Sequence, residues 1–261
     1  MEGGYFPKVD RSLKWRRPAQ SPTLSTCKRF ASRVGEAAMH IPDGFIDIKT
    51  SAAVGTAAVI AIGASLRGAK AQLTEKSAPL AGLTAVFVFA VQMLNFPVAA
   101  GTSGHLLGGA LAAVLVGPYA ATLAITVVLI IQAFLFADGG LTALGLNLFN
   151  MSIIGVWVGY GIFLLVRKFM PKKKSSIAVA AAIAGFVSVP AAAAGFVAQY
   201  AIGATATYET STVFAAMIST HLLIGIGEAI ITFMTVSAVL ASRSDLVFGY
   251  KGSVEELEIR S

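Results

Sequence analysis

Long uncharged apolar runs separated by short polar connections dominate the chain. Seven such segments can be drawn, at about residues 49–66, 79–96, 102–117, 118–137, 145–167, 177–202 and 212–241. At 1.5 Å rise per residue, about 20 apolar residues cross a hydrocarbon core of about 30 Å. The pattern therefore predicts an all-α integral membrane protein with about seven transmembrane helices. The third run departs from it. Residues 102–116 fall at or below the minimum of about 17 residues for a span, so a tilted, half-inserted or broken segment is expected, with the break at Gly117-Pro118. Short interrupted segments often flank a binding site.

Composition agrees: 56% of the 261 residues are hydrophobic and 13% are charged, and the mean hydropathy is +0.76. A water-soluble fold cannot hide that much apolar surface. The net charge of +7 invites a nucleic-acid reading, but residues 1–38 hold eight Lys/Arg against three acids, a balance of +5 that leaves only +2 for the rest. Most later cations flank apolar runs: Arg67, Lys70 and Lys76 follow the first, Arg167, Lys168, Lys172, Lys173 and Lys174 the fifth, and Arg243 and Lys251 the last. If the segments alternate, all of these share one side. The positive-inside rule then puts the carboxyl terminus in the cytoplasm and the amino terminus of the membrane domain outside. The lone Cys27 excludes an intramolecular disulfide.

Three regions follow: a basic extension over residues 1–38, a membrane domain over 39–241 and a cytoplasmic tail over 242–261. The extension conflicts with an outside amino terminus. It has no apolar core of the kind a secretory leader carries, and Arg16-Arg17 is followed by a sequence that fits no twin-arginine signal. The expectation is that residues 1–38 are a mis-assigned start or a removed segment, with Met39 the functional initiator.

Candidate chemistry is sparse. The three histidines, His40, His105 and His221, all fall towards the outer half of the membrane in this topology. Without useful cysteine, a transition-metal ion would need imidazole or backbone nitrogens. If Met39 is residue one, its amine, the His40 amide and the His40 imidazole form adjacent chelate rings. A fourth nitrogen from His105 would complete a square-planar set, a geometry suited to Ni(II) or Cu(II), with Co(II) an alternative. The competing reading of any one histidine is a hydrogen-bonded polar residue near the membrane surface.

Several separated motifs occur in order: Met39-His40-Ile41-Pro42-Asp43-Gly44-Phe45; Asn95-Phe96-Pro97; Gly101-Thr102-Ser103-Gly104-His105-Leu106-Leu107-Gly108-Gly109; Phe136-Ala137-Asp138-Gly139-Gly140; and His221 through Ala229. Over residues 39–241 the chain resembles the CbiM/NikM family, the substrate-capture subunits of energy-coupling-factor transporters for cobalt and nickel. The resemblance implies that Met39, His40 and His105 hold Co(II) or Ni(II) as transported ligand. It also implies partners: a CbiQ-type coupling membrane subunit, CbiO-type ATPases and a small CbiN/NikN-type membrane subunit.

His221 and Glu228 lie seven residues apart on one helical face, and an intramembrane carboxylate is costly unless paired, so both are expected to face the bundle interior in hydrogen-bonding roles. Asn95, Asp138, Asn147 and Asn150 receive the same reading, with helix capping as the alternative. Ala53, Ala57 and Ala61 form a small-residue ladder on the first helix, and Gly104, Gly108 and Ala112 form another on the third segment. Such ladders permit close helix contact. In the family an alanine ladder on the first helix resembles the surface that docks the coupling subunit.

No phosphate-binding loop occurs, so a non-enzymatic transporter subunit in the cytoplasmic (inner) membrane of a prokaryote is expected, with ATP hydrolysed by partners. A stand-alone secondary carrier or channel for a divalent metal would carry more interior ionisable residues than Glu228 and His221. An intramembrane enzyme lacks its motifs, and a non-catalytic scaffold would gain no stability from a metal.

Overall fold

The computed structural model describes residues 40–75, 77–93, 96–99 and 102–250. Met39, Asn95 and the basic extension therefore lie outside the described residues. Helix α1 (Ile48–Gln72) starts where the Asp47 carboxylate accepts from the Lys49 and Thr50 N–H groups at 2.8 and 3.1 Å, filling two of the donors a helix start leaves open. Helix α2 (Ala78–Gln92) follows. A small antiparallel hairpin, β1 (Phe96–Ala99) and β2 (Thr102–Gly104), then pairs Phe96 with Gly104. Next come α3 (Gly109–Val116), α4 (Pro118–Leu135), α5 (Leu144–Phe169), α6 (Lys174–Gly203) and α7 (Thr210–Arg243). Within α5, residues Phe149–Gly155 are wound as a π-helix.

Among the described residues, five helices are long and apolar enough to cross a membrane: α1, α4, α5, α6 and α7, the last continuing to Leu246 in a 3-10 turn. Segments two and three of the sequence reading form shorter helices of 15 and 8 residues. The expected break is present. Gly117, with φ +87°, ends α3, and Pro118 opens α4 at the position where its missing N–H costs nothing.

Helix α3, about 12 Å long at the standard rise, is too short to span. All eight of its residues are buried, and it packs against α2, α4, α5, α6 and α7. It is the central post of the bundle. The Gly104–Gly108–Ala112 ladder does not exist as a helical face, because the chain is unwound through Gly108 and helix begins only at Gly109. The spacing was read on the assumption of continuous helix, which the backbone here does not make.

Helix pairs approach through small residues, as expected where lipid supplies no hydrophobic drive between helices. At the α1–α5 crossing a Cβ on Gly145 would lie 2.5 Å from Gly55 Cα, whereas a Cβ on Gly161, further along α5, would meet nothing within 4 Å. In α6, Pro190 cannot donate to the Phe186 carbonyl, and that carbonyl lies against Gly225 of α7. The crossing at Gly145 yields a test. Glycine to alanine in a helix ordinarily gains up to about 1 kcal/mol, so Gly161→Ala should raise or preserve the melting temperature in detergent. Gly145→Ala should lower stability by about 1–3 kcal/mol, the usual cost of overpacking.

Candidate metal centre

The segment that carries His40 lies against the α4–α5 connection. The Asn147 side chain, in the first turn of α5, accepts from Ile41 N–H at 3.0 Å and donates to Ile41 C=O at 3.3 Å, and Gly140 N–H donates to the same carbonyl at 2.9 Å. Asp43 accepts from the Thr142 N–H and hydroxyl at 2.7 and 2.6 Å, and the Thr142 hydroxyl above all holds its carboxyl below the usual carboxylate range. Further along, Asp47 N–H donates to Gly203 C=O at 2.7 Å, Thr205 N–H donates to Phe45 C=O at 3.2 Å, and the Thr205 hydroxyl donates to Gly44 C=O. Residues 40–47 are thus stitched to α5 at one end and to the end of α6 at the other. Gly139 makes room for this: it takes φ +88°, and a Cβ there would lie 2.6 Å from His40 Cβ.

His105 stands on the unwound stretch between β2 and α3. Burying such backbone leaves its amide groups without ladder partners, and side chains supply them. Glu228 of α7, only 2% exposed, accepts from Leu107 N–H at 2.9 Å and from Gly108 N–H at 2.7 Å through its two oxygens. Gln92, the last residue of α2, donates to Leu107 C=O at 2.7 Å and in turn accepts from Gln132 of α4 at 3.0 Å. Both glutamines are fully buried.

These two anchored segments bring His40 and His105 together, with ring centroids 4.9 Å apart and both residues buried. His105 Nδ1 lies 2.8 Å from Leu106 C=O, which can only accept; Nδ1 therefore carries the proton and Nε2 keeps its lone pair. His40 Nδ1 lies 3.0 Å from Asp138 Oδ1, while its buried Nε2 has no hydrogen-bond partner. Two buried imidazoles thus meet beside one carboxylate, an arrangement able to ligate a borderline-soft divalent ion. Among the described residues, no three His, Cys, Asp or Glu side chains form a metal-holding group of their own.

Other sequence candidates are placed differently. His221 is half-buried and its Nδ1 bonds the Met217 carbonyl of its own helix at 2.7 Å. Asn147 and Asn150 cap no helix: Asn147 grips Ile41, and Asn150, inside the π-helical stretch, exchanges two hydrogen bonds with Gln199 of α6 at 2.9 and 2.7 Å. Asn95 and Met39 lie outside the described residues. Ala53 and Ala57 are exposed and Ala61 half-buried on α1, whose most apolar window is only 17% buried against 61% for α4. That ladder faces away from the bundle. Sequence reading passed over Gln92, Gln132 and Gln199. Their one available signal was a polar amide within or at the end of an otherwise apolar run, which in a bundle interior must find a partner.

The family model described as "Cobalt uptake substrate-specific transmembrane region", CbiM, matches residues 40–246. A Haloquadratum walsbyi protein assigned by name to metal transport is 39% identical over 210 residues, covering 80% of this chain and 94% of that protein. The fused nickel transport protein NikMN of Rhodobacter capsulatus is 35% identical over 221 residues, covering 80% of this chain and 64% of the fusion. Among solved structures, a truncated transition metal transporter superposes with a TM-score of 0.70 at 34% identity, covering 78% of this chain and 99% of that one. A family match over most of the chain, joined to this multi-pass fold and its paired histidines, means that the chain belongs to the CbiM family, the substrate-specific transmembrane region of cobalt uptake.

Proposed function

We propose that this protein is the metal-capture subunit of an ATP-driven energy-coupling-factor importer for Co(II) or Ni(II), in the cytoplasmic membrane of a prokaryote. In this reading the unwound stretch 105–108 and α3 together make the third of about seven crossings, the membrane domain starts outside and its tail is cytoplasmic. The ion enters from outside and exchanges its water for four nitrogens in a plane: the Met39 amine, the His40 amide and imidazole, and the His105 imidazole. The observation that carries the reading is the convergence of His40 and His105, 65 positions apart in the chain, on one buried point.

Chelation by an amide and the imidazole of the same residue uses Nδ1, which closes a six-membered ring. The His40 ring must then exchange Asp138 for the ion, and Asp138 becomes a neighbouring negative charge that favours the cationic cargo. The free amine at Met39 requires the absence of residues 1–38, and the family match beginning at residue 40 supports that start. CbiQ-type and CbiO-type partners supply coupling and ATP hydrolysis. The NikMN fusion among the relatives supports a CbiN/NikN-type small subunit, and the outward alanines Ala53, Ala57 and Ala61 suit the coupling-subunit contact.

Titration calorimetry of a chain beginning at Met39 should give tight 1:1 binding of Ni(II) or Co(II). His40→Ala and His105→Ala should each weaken it by at least about 100-fold, and the full chain should bind weakly. Unchanged binding in both variants would sink the proposal. Because the nitrogens bind deprotonated, affinity should fall as pH is lowered, with proton release visible as a buffer-dependent enthalpy. A substitution one residue beyond the ligands checks the positioning. Asn147→Asp keeps an acceptor for Ile41 N–H but sets an oxygen against Ile41 C=O, and affinity should drop by about tenfold. Uptake in cells lacking the ATPase partners should be lost; uptake that persists points to a stand-alone carrier.

A further inference from the structure

The Leu107 peptide is held from two helices at once. Its N–H, together with that of Gly108, is bound by Glu228 of α7, and its C=O is bound by Gln92 of α2, itself backed by Gln132 of α4. His105 lies two residues away on the same unwound stretch, and its own ring is fixed by the intervening Leu106 carbonyl. His40 depends on a different set: the Asp138 carboxylate, the Asn147 amide and the backbone of Gly140. The separation of the two imidazoles is therefore set by how two independent anchors are placed.

We infer that Glu228 and Gln92 are positioning residues that fix His105 relative to His40 through the Leu107 peptide, and so set both the affinity of the centre and its choice among divalent ions. A carboxylate suits the task because it accepts from two adjacent N–H groups with two oxygens, which neither an amide nor a hydroxyl can do. A ligand with well-defined angular demands discriminates between ions only if it cannot drift, and the clamp removes that drift. The inference rests on the reading of His105 as a ligand.

The test uses protein purified from its native membrane, in whatever amino-terminal form the cell produces, with Ni(II) alone and Co(II) alone as probes. Calorimetry and ligand-field absorption spectra are recorded for wild type, Glu228→Gln, Gln92→Leu and His105→Ala. In Glu228→Gln one N–H faces an NH₂ group instead of an oxygen. Ni(II) affinity should fall by about 10- to 100-fold, the absorption band of the bound ion should shift and the Ni(II)-to-Co(II) affinity ratio should change. Gln92→Leu should move all three in the same direction by less. A loss of affinity that only tracks the folded fraction, with band and ratio unmoved, overturns the inference. So does wild-type behaviour in both clamp variants while His105→Ala abolishes binding. Binding that survives His105→Ala overturns the ligand reading itself. If Glu228→Gln does not accumulate in folded form, Gln92→Leu decides by the same criteria.

Discussion

A backbone that leaves helical geometry inside an apolar bundle must find its hydrogen bonds in side chains, and the fold is organised around one such place. Through residues 105–108 the chain is unwound and buried. Each amide group left open there would cost roughly as much as a lost buried hydrogen bond. Glu228 and Gln92 answer that demand with three short hydrogen bonds. Polar residues expensive to bury singly are thus stabilised because each satisfies backbone that is equally expensive to leave alone. The interruption also places His105 outside any helix, with its ring centroid 4.9 Å from that of His40.

The rest of the architecture supports this point from two directions. The short helix α3 can be only eight residues long because five neighbouring helices enclose it, and at Gly117-Pro118, where proline brings no N–H to satisfy, the chain passes into α4. Residues 40–47, a segment with a turn at Asp43-Gly44, bind to α5 and to the end of α6 through Asn147, Thr142, Gly203 and Thr205. Close approach at Gly145 and Gly225 sets the spacing of α1 against α5 and of α6 against α7, the helices that carry both anchors.

Membership of the CbiM family ties this geometry to metal transport. Helix α1, by contrast, buries little of itself and presents Ala53 and Ala57 outward. The interior around the paired histidines and the outward alanine face differ sharply in burial, and small residues serve a different purpose in each. Inside, they allow backbones to cross; outside, they leave a smooth surface.

Sequence by itself determined the membrane class, since uncharged runs of about 20 residues have no other stable solvent, and it located the break at Gly117-Pro118, because both residues act through local backbone chemistry. Ordered motifs also made the family and the histidine pair legible. Only the tertiary structure decided that the 104–112 spacing is not a helical face, that Asn147 grips Ile41 rather than capping a helix, and that the hydrogen-bonding partners of Glu228 are the Leu107 and Gly108 N–H groups. Those are contacts between residues 106 and about 120 positions apart. Periodicity along a chain reports which side of a helix a residue occupies, and it carries no information about which distant peptide group lies there.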